Sequence, residues 1–134
     1  MRRRPVALPS LRVPAALLCL SLAGCGLRDA RTCTSANVDP EAGIAACTRW
    51  LSSEGLDADA RILGLSSRAM HATRLRAFDD AARDYRAAMH LRPGDADLPV
   101  WYGAVLGEGG DAAGALRAFD KALKLDPDHF AAHM

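Results

Sequence analysis

The 134 residues leave room for one domain at most, and the first two dozen do not read as part of it. The formal net charge of +1 sets 17 basic residues against 16 acidic ones, but Arg2, Arg3, Arg4 and Arg12 all precede the first acidic residue, so from Cys25 onward 13 basic residues face 16 acidic ones. A slightly acidic body with no basic run has no electrostatic footprint for nucleic acid, and that class of partner is excluded.

In chain order, the four early arginines precede an apolar run from Val13 to Leu22. That run is too short to span a bilayer as a helix and has the length of a secretory h-region, so residues 1–24 read as an address rather than as structure. The four cysteines then sort by position: Cys19 falls inside the run, Cys25 follows Leu22-Ala23-Gly24, and Cys33 and Cys47 remain. In an oxidising compartment the expected state of the remaining two is a disulfide, closing a loop of about 15 residues that contributes roughly 3 kcal/mol. Two free thiols are the alternative, and a metal site would need two further ligands at a spacing not present nearby.

The Leu22-Ala23-Gly24-Cys25 stretch resembles the lipobox of bacterial lipoproteins. The resemblance implies cleavage between Gly24 and Cys25, and diacylglycerol and palmitate-type chains on the Cys25 thiol and amine. Such a multiply acylated cysteine anchors a protein permanently, and no other cofactor is implied. An ordinary secreted protein cleaved elsewhere is the alternative. Because Gly26 rather than Asp follows the cysteine, the resemblance favours the outer membrane, with the protein facing the periplasm. Residues 25–38 are then expected to be a flexible lipidated tether.

Asp39-Pro40-Glu41 next opens a helix with a capping carboxylate and a proline in its first turn. Ile44, Cys47 and Leu51 share one face of it, and a loop is expected from Ser52 to Ala60. Residues 39–61 thus read as an incomplete leading helical unit.

From there the chain repeats at a period of 34: Ala69 maps to Gly103, Ala81 to Ala115, Tyr85 to Phe119, Ala88 to Ala122 and Pro93 to Pro127. Ala81, Tyr85, Ala88 and Met89 lie on one helix face, and Ala115, Phe119, Ala122 and Leu123 repeat it. Small residues let two antiparallel helices approach, and the aromatic fills the space between them. Arg92-Pro93-Gly94 and Asp126-Pro127-Asp128 stop the second helix of each unit, and Gly109-Gly110-Asp111 supplies a turn.

These residues resemble the tetratricopeptide repeat, with a small residue on the first helix and Ala, aromatic, Ala and Pro on the second. Residues 62–95 and 96–129 fit two such units. The resemblance implies an all-α fold: a helical-hairpin solenoid forming a short right-handed superhelix. Leu65 and Pro99 replace the usual first-helix Trp, Ala72 and Leu106 the usual Tyr, and Arg76 the turn glycine of the first unit. With its Cys-bearing leading helix and long loop, the chain also resembles the NlpI-type envelope adaptor lipoproteins. Phe130 to Met134 read as the start of a further, truncated helix.

No catalytic constellation appears. There is no serine elbow, no oriented Cys-His pair and no phosphate loop, because Gly107-Glu108-Gly109-Gly110 follows a helix rather than a strand. His129 and His133 have i, i+4 spacing without further ligands, and His71 and His90 are isolated, so no metal site is expected. Asp79-Asp80, like Asp57 and Asp59, read as helix-opening acids. What remains is binding: the resemblance implies a groove lined by first helices, with Ser66, Met70, Thr73 and Arg74 from one unit and Val100, Trp101, Ala104 and Glu108 from the next. Trp101 is the foremost candidate, the alternative being that it packs between units. The expected function is a non-enzymatic, lipid-anchored scaffold for periplasmic peptidases, peptidoglycan hydrolases or envelope assembly factors, with self-association open. The rival reading is an N-terminal accessory region of a larger envelope enzyme.

Overall fold

A computed structural model describes the backbone of residues 15–129, and side chains at residue 24 and residues 26–129. All the regular structure among them is helical: α1 (Ala15–Thr34), α2 (Pro40–Leu51), α3 (Ala58–Arg74), α4 (Phe78–Leu91), α5 (Asp97–Glu108) and α6 (Ala112–Leu125). Residues 1–14, and Phe130 to Met134 with His133 among them, lie outside the described residues.

The helix starts are chemically marked. Asp39 caps α2 by accepting from the Ala42 N–H at 3.1 Å, Asp57 caps α3 through Ala60 at 2.8 Å, and Asp111 caps α6 through Gly114 at 2.8 Å. Asp79 and Asp80 sit in the first turn of α4, where carboxylates oppose the positive end of the helix dipole. The expected loop from Ser52 to Ala60 is shorter than the sequence suggested. The Asp57 cap starts α3 at Ala58, so the helix runs back past the repeat boundary.

The period of 34 reappears in the coordinates. α4 and α6 are offset by 34 at both ends, and the last residues of α3 and α5, Arg74 and Glu108, differ by the same number. The turns match bond for bond. Ala77 N–H donates to Ala72 O at 2.9 Å, and its equivalent Asp111 N–H donates to Leu106 O at 2.8 Å; Arg76 and Gly110 both adopt positive φ, at 59° and 94°. This is the six-to-one hydrogen bond of a Schellman cap, which places its penultimate residue in the left-handed region. Arg76 occupies that position without the freedom of glycine, its guanidinium lying 5.2 Å above the Phe78 ring.

Each helix packs against its neighbours in the chain, and α1 reaches α3 as well. The core is built from small residues against a few large ones. Ala69, Ala72, Ala81, Ala82, Tyr85 and Val105 form one buried cluster, and Ile62, Ala88 and Leu98 another. Contact between α5 and α6 is close enough that a Cβ on Gly103 would stand 2.8 Å from the Phe119 ring. Pro99 is tolerated inside α5 because it lies in the first turn, where its missing N–H would have no helical acceptor.

At the amino-terminal end the structure differs from the expected tether. Residues 25–34 belong to α1, Cys33 is fully buried, and a disulfide joins it to Cys47 of α2. Trp50 and Ala46 close over the bond with Ala30 and Leu56, and Asp29 pairs with Arg49 at 2.8 Å. The segment carries its own apolar contacts, so it folds onto the body instead of trailing from it.

Because a non-glycine residue in the left-handed region is disfavoured by about 1 kcal/mol, Arg76→Gly is expected to raise unfolding stability by about 0.5–1 kcal/mol in urea denaturation, despite the lost ring contact.

Candidate peptide-binding groove

Of the eight residues expected to line a groove, seven meet at one cavity of about 440 Å³ between α3 and α5: Ser66, Met70, Thr73 and Arg74 on one wall, Trp101, Ala104 and Glu108 on the other. Val100 does not join them. It is buried on a different face of α5, one residue away from the 100° stripe that holds Trp101, Ala104 and Glu108. Trp101 is 57% exposed, so it borders the groove rather than filling the space between units. Residues not expected in the groove complete the lining: Ser67 on α3, Tyr85 of α4, read in the sequence as a packing residue, and Asp97, Leu98 and Val105 on α5.

The polar groups of the groove divide by how they are held. Thr73 donates its hydroxyl to Ala69 O at 2.9 Å. Arg74 donates from Nη1 to Ala36 O and Val38 O, at 3.2 and 3.0 Å, which ties the α3 wall to the α1–α2 connection. Asp97 accepts from His129 Nε2 at 2.7 Å. Tyr85 and Ser67 are buried to 6% and 7% exposure, but their hydroxyl oxygens are not among the buried polar atoms left without a partner, so both reach the solvent in the groove. Burial pushes the Tyr85 phenol above its ordinary pKa, so its hydroxyl stays protonated and able to donate at neutral pH. Glu108 is exposed and has no ion-pair partner among the described residues.

Away from the groove, where α3 meets α2 and α4, lies an ion pair that the sequence does not signal. Arg68 of α3 grips Asp84 of α4 with two bonds, Nε to Oδ2 at 2.7 Å and Nη2 to Oδ1 at 2.8 Å, and reaches Thr48 of α2 with Nη1 at 3.2 Å. The hydrogen bond to Asp84 outweighs burial and raises the Arg68 pKa further. A test of periodicity had no means of finding this pair, because the positions 34 residues on are Tyr102 and Ala118.

The remaining candidates fall in structural places. His71 is fully buried, and its Nε2 donates to Cys33 O at 2.9 Å while Nδ1 has no partner. It abuts Gly43, where a Cβ would stand 2.5 Å from Nε2. His90 is exposed. Asp59 pairs with Arg92, and Asp80 with Arg83. Gly107, Gly109 and Gly110 make the end of α5 and its turn. No group of His, Cys, Asp and Glu among the described residues is placed to hold a metal ion, and none of the described helices is long and apolar enough to cross a membrane. The Gly24-Cys25 backbone is helical, within α1.

No family model matches the chain, and no curated protein matches it.

Asp84 is 4% exposed and Arg68 only a quarter exposed, so Asp84→Ala leaves a largely desolvated guanidinium without its counter-ion. The substitution is expected to lower unfolding stability by about 2–3 kcal/mol, read by chemical denaturation.

Proposed function

We propose that this chain is a non-enzymatic tetratricopeptide-repeat scaffold, held in the bacterial envelope by a lipid on Cys25, that binds other proteins in the groove between α3 and α5. The observation that carries the reading is the groove itself: an exposed tryptophan and a methionine face each other across a cleft formed by the first helices of two hairpins related by 34 residues. An indole left in solvent beside such a cleft is the kind of anchor that dominates binding energy at protein interfaces. Matching Schellman turns and the small-against-aromatic contacts support the repeat solenoid, with the α1–α2 pair as a divergent leading hairpin.

The anchor and the groove belong to one mechanism. Cys25 precedes Cys33 by eight residues, about 12 Å along a helix, and the disulfide joins that helix to the body. A lipid at Cys25 would therefore hold the groove close to the bilayer, facing the periplasm, with the outer membrane the favoured site. Attachment to a surface raises the effective concentration of a bound partner there without any additional contact. Periplasmic peptidases, peptidoglycan hydrolases and envelope assembly factors are the partner classes that gain most from such placement.

Replacement of Trp101 by Ala is expected to abolish capture of partners from envelope extract while shifting the melting temperature by less than about 2 °C; a large fall in melting temperature would make Trp101 a packing residue. Cys25→Ala is expected to move the protein from the membrane fraction to the soluble one on fractionation, and unchanged membrane association would count against the lipid.

A further inference from the structure

A second cleft, which shares no lining residue with the groove, lies where α5 and α6 meet the end of α4, and it has a counterpart one repeat earlier. In the first unit Arg68, Ala72, Asp80, Arg83 and Asp84 line a cleft of about 190 Å³; 34 residues on, Tyr102, Leu106, Gly114, Arg117 and Ala118 line one of about 250 Å³. The first cleft is electrically closed, because Arg68 is paired with Asp84 and Arg83 with Asp80. In the second, Gly114 and Ala118 stand where those two carboxylates were. The Arg83 cation is nevertheless kept as Arg117, and Lys121 is added where the first unit has Ala87. Arg117 and Lys121 are both exposed, and neither has an ion-pair or hydrogen-bond partner among the described residues. Asp111 lines the cleft as well, but its Oδ1 accepts from the Gly114 N–H as the cap of α6. A Cβ at Gly114 would collide with that carboxylate, so an acid at this position and the cap exclude one another.

We propose that this cleft is a second protein-docking site, which takes a carboxylate side chain of a partner on Arg117 and Lys121 and an apolar side chain of the same segment beside it. The acid is read from the molecule's own first unit, where carboxylates occupy the equivalent place. A carboxylate supplied to Arg117 does there what Asp80 does for Arg83, and the planar guanidinium offers it a two-pronged donor. Lys121 stands one turn along α6, and Lys124, exposed and without a partner among the described residues, extends the row. The apolar half of the ligand follows from the remaining lining: Met89, Pro99 and Leu106 accompany Tyr102, which stands where the first unit has the Arg68 guanidinium. A free inorganic anion would leave this surface in water, whereas an acidic segment with a leucine or aromatic neighbour covers it. Pro99, Tyr102 and Leu106 form one stripe of α5, and Trp101, Ala104 and Glu108 another, so the cleft and the groove are separate surfaces.

The test is calorimetric titration of the full-length chain with three octapeptides blocked at both ends: one with two glutamates followed by a leucine and a phenylalanine, one with lysines replacing the glutamates, and one with serines replacing the leucine and phenylalanine. The glutamate peptide is expected to bind at least about tenfold more tightly than either of the others. Equal or tighter binding of the lysine peptide overturns the carboxylate contact, equal binding of the serine peptide overturns the apolar one, and failure of all three to bind overturns the site. Variants at exposed positions locate the binding. Arg117→Glu with Lys121→Glu is expected to reverse the preference between the glutamate and lysine peptides, and an unchanged preference would refute the assignment. Should that pair fail to fold, Arg117→Ser with Lys121→Ser is expected to weaken the glutamate peptide about tenfold, and wild-type affinity overturns the proposal. Trp101→Ala is expected to leave the affinity within about twofold of wild type; a larger loss would move the peptide to the groove between α3 and α5, overturning the second site while sparing the scaffold reading.

Discussion

The close approach of a small residue on one helix to an aromatic residue on the next is the constraint on which the rest depends. At Gly103 the space for even a methyl group is taken by the Phe119 ring, and in the preceding unit Ala69, fully buried, shares a cluster with Tyr85. Such contacts bury little area per small residue, so the aromatic ring supplies most of the apolar surface that each hairpin removes from water. Drawing the second helix in against the first also sets what the first helices do. α3 and α5 are separated by α4, with Tyr85 beneath, and the cleft between them is a consequence of the packing rather than a defect in it.

The groove is also tied mechanically to the amino-terminal helix. Cys33 is bonded to Cys47, its carbonyl accepts from His71 of α3, and one turn further along α3 Arg74 holds the carbonyls of Ala36 and Val38. Arg74 is at once a groove wall and a clamp on the connection that the disulfide closes. Gly43 permits this arrangement by giving the buried imidazole room against α2. α1, α2 and α3 therefore form one block beneath the groove, and force applied at one end of the chain reaches the binding face through covalent and hydrogen bonds rather than through a slack linker.

Features with a local chemical cause were legible in the sequence. The Asp39 cap, the prolines after each second helix, the 34-residue offset of α4 and α6 and the pairing of Cys33 with Cys47 each follow from residues read singly or at fixed spacing. Seven groove residues followed from the resemblance to the first helices of tetratricopeptide repeats. What failed did so for physical reasons. Val100 shares the neighbourhood of Trp101 in sequence but faces the core. The helical start of the body after Cys25 depends on long-range contacts with Trp50 and on the disulfide, and no short window contains them. The Arg68–Asp84–Thr48 cluster and the fit of His71 against Gly43 occur once, so periodicity is blind to them.

The central claim is that binding occurs between α3 and α5, and the most direct measurement is an amide and indole proton–nitrogen correlation spectrum of the labelled full-length chain, titrated with a partner captured from envelope extract. The two tryptophans serve as internal reporters, one exposed beside the groove and one buried against the disulfide. The account predicts that the Trp101 indole and the amides of Met70 and Ala104 shift while the Trp50 indole stays in place. Shifts centred instead on the exposed face of α6 around Leu116, with the Trp101 indole unmoved, would contradict it.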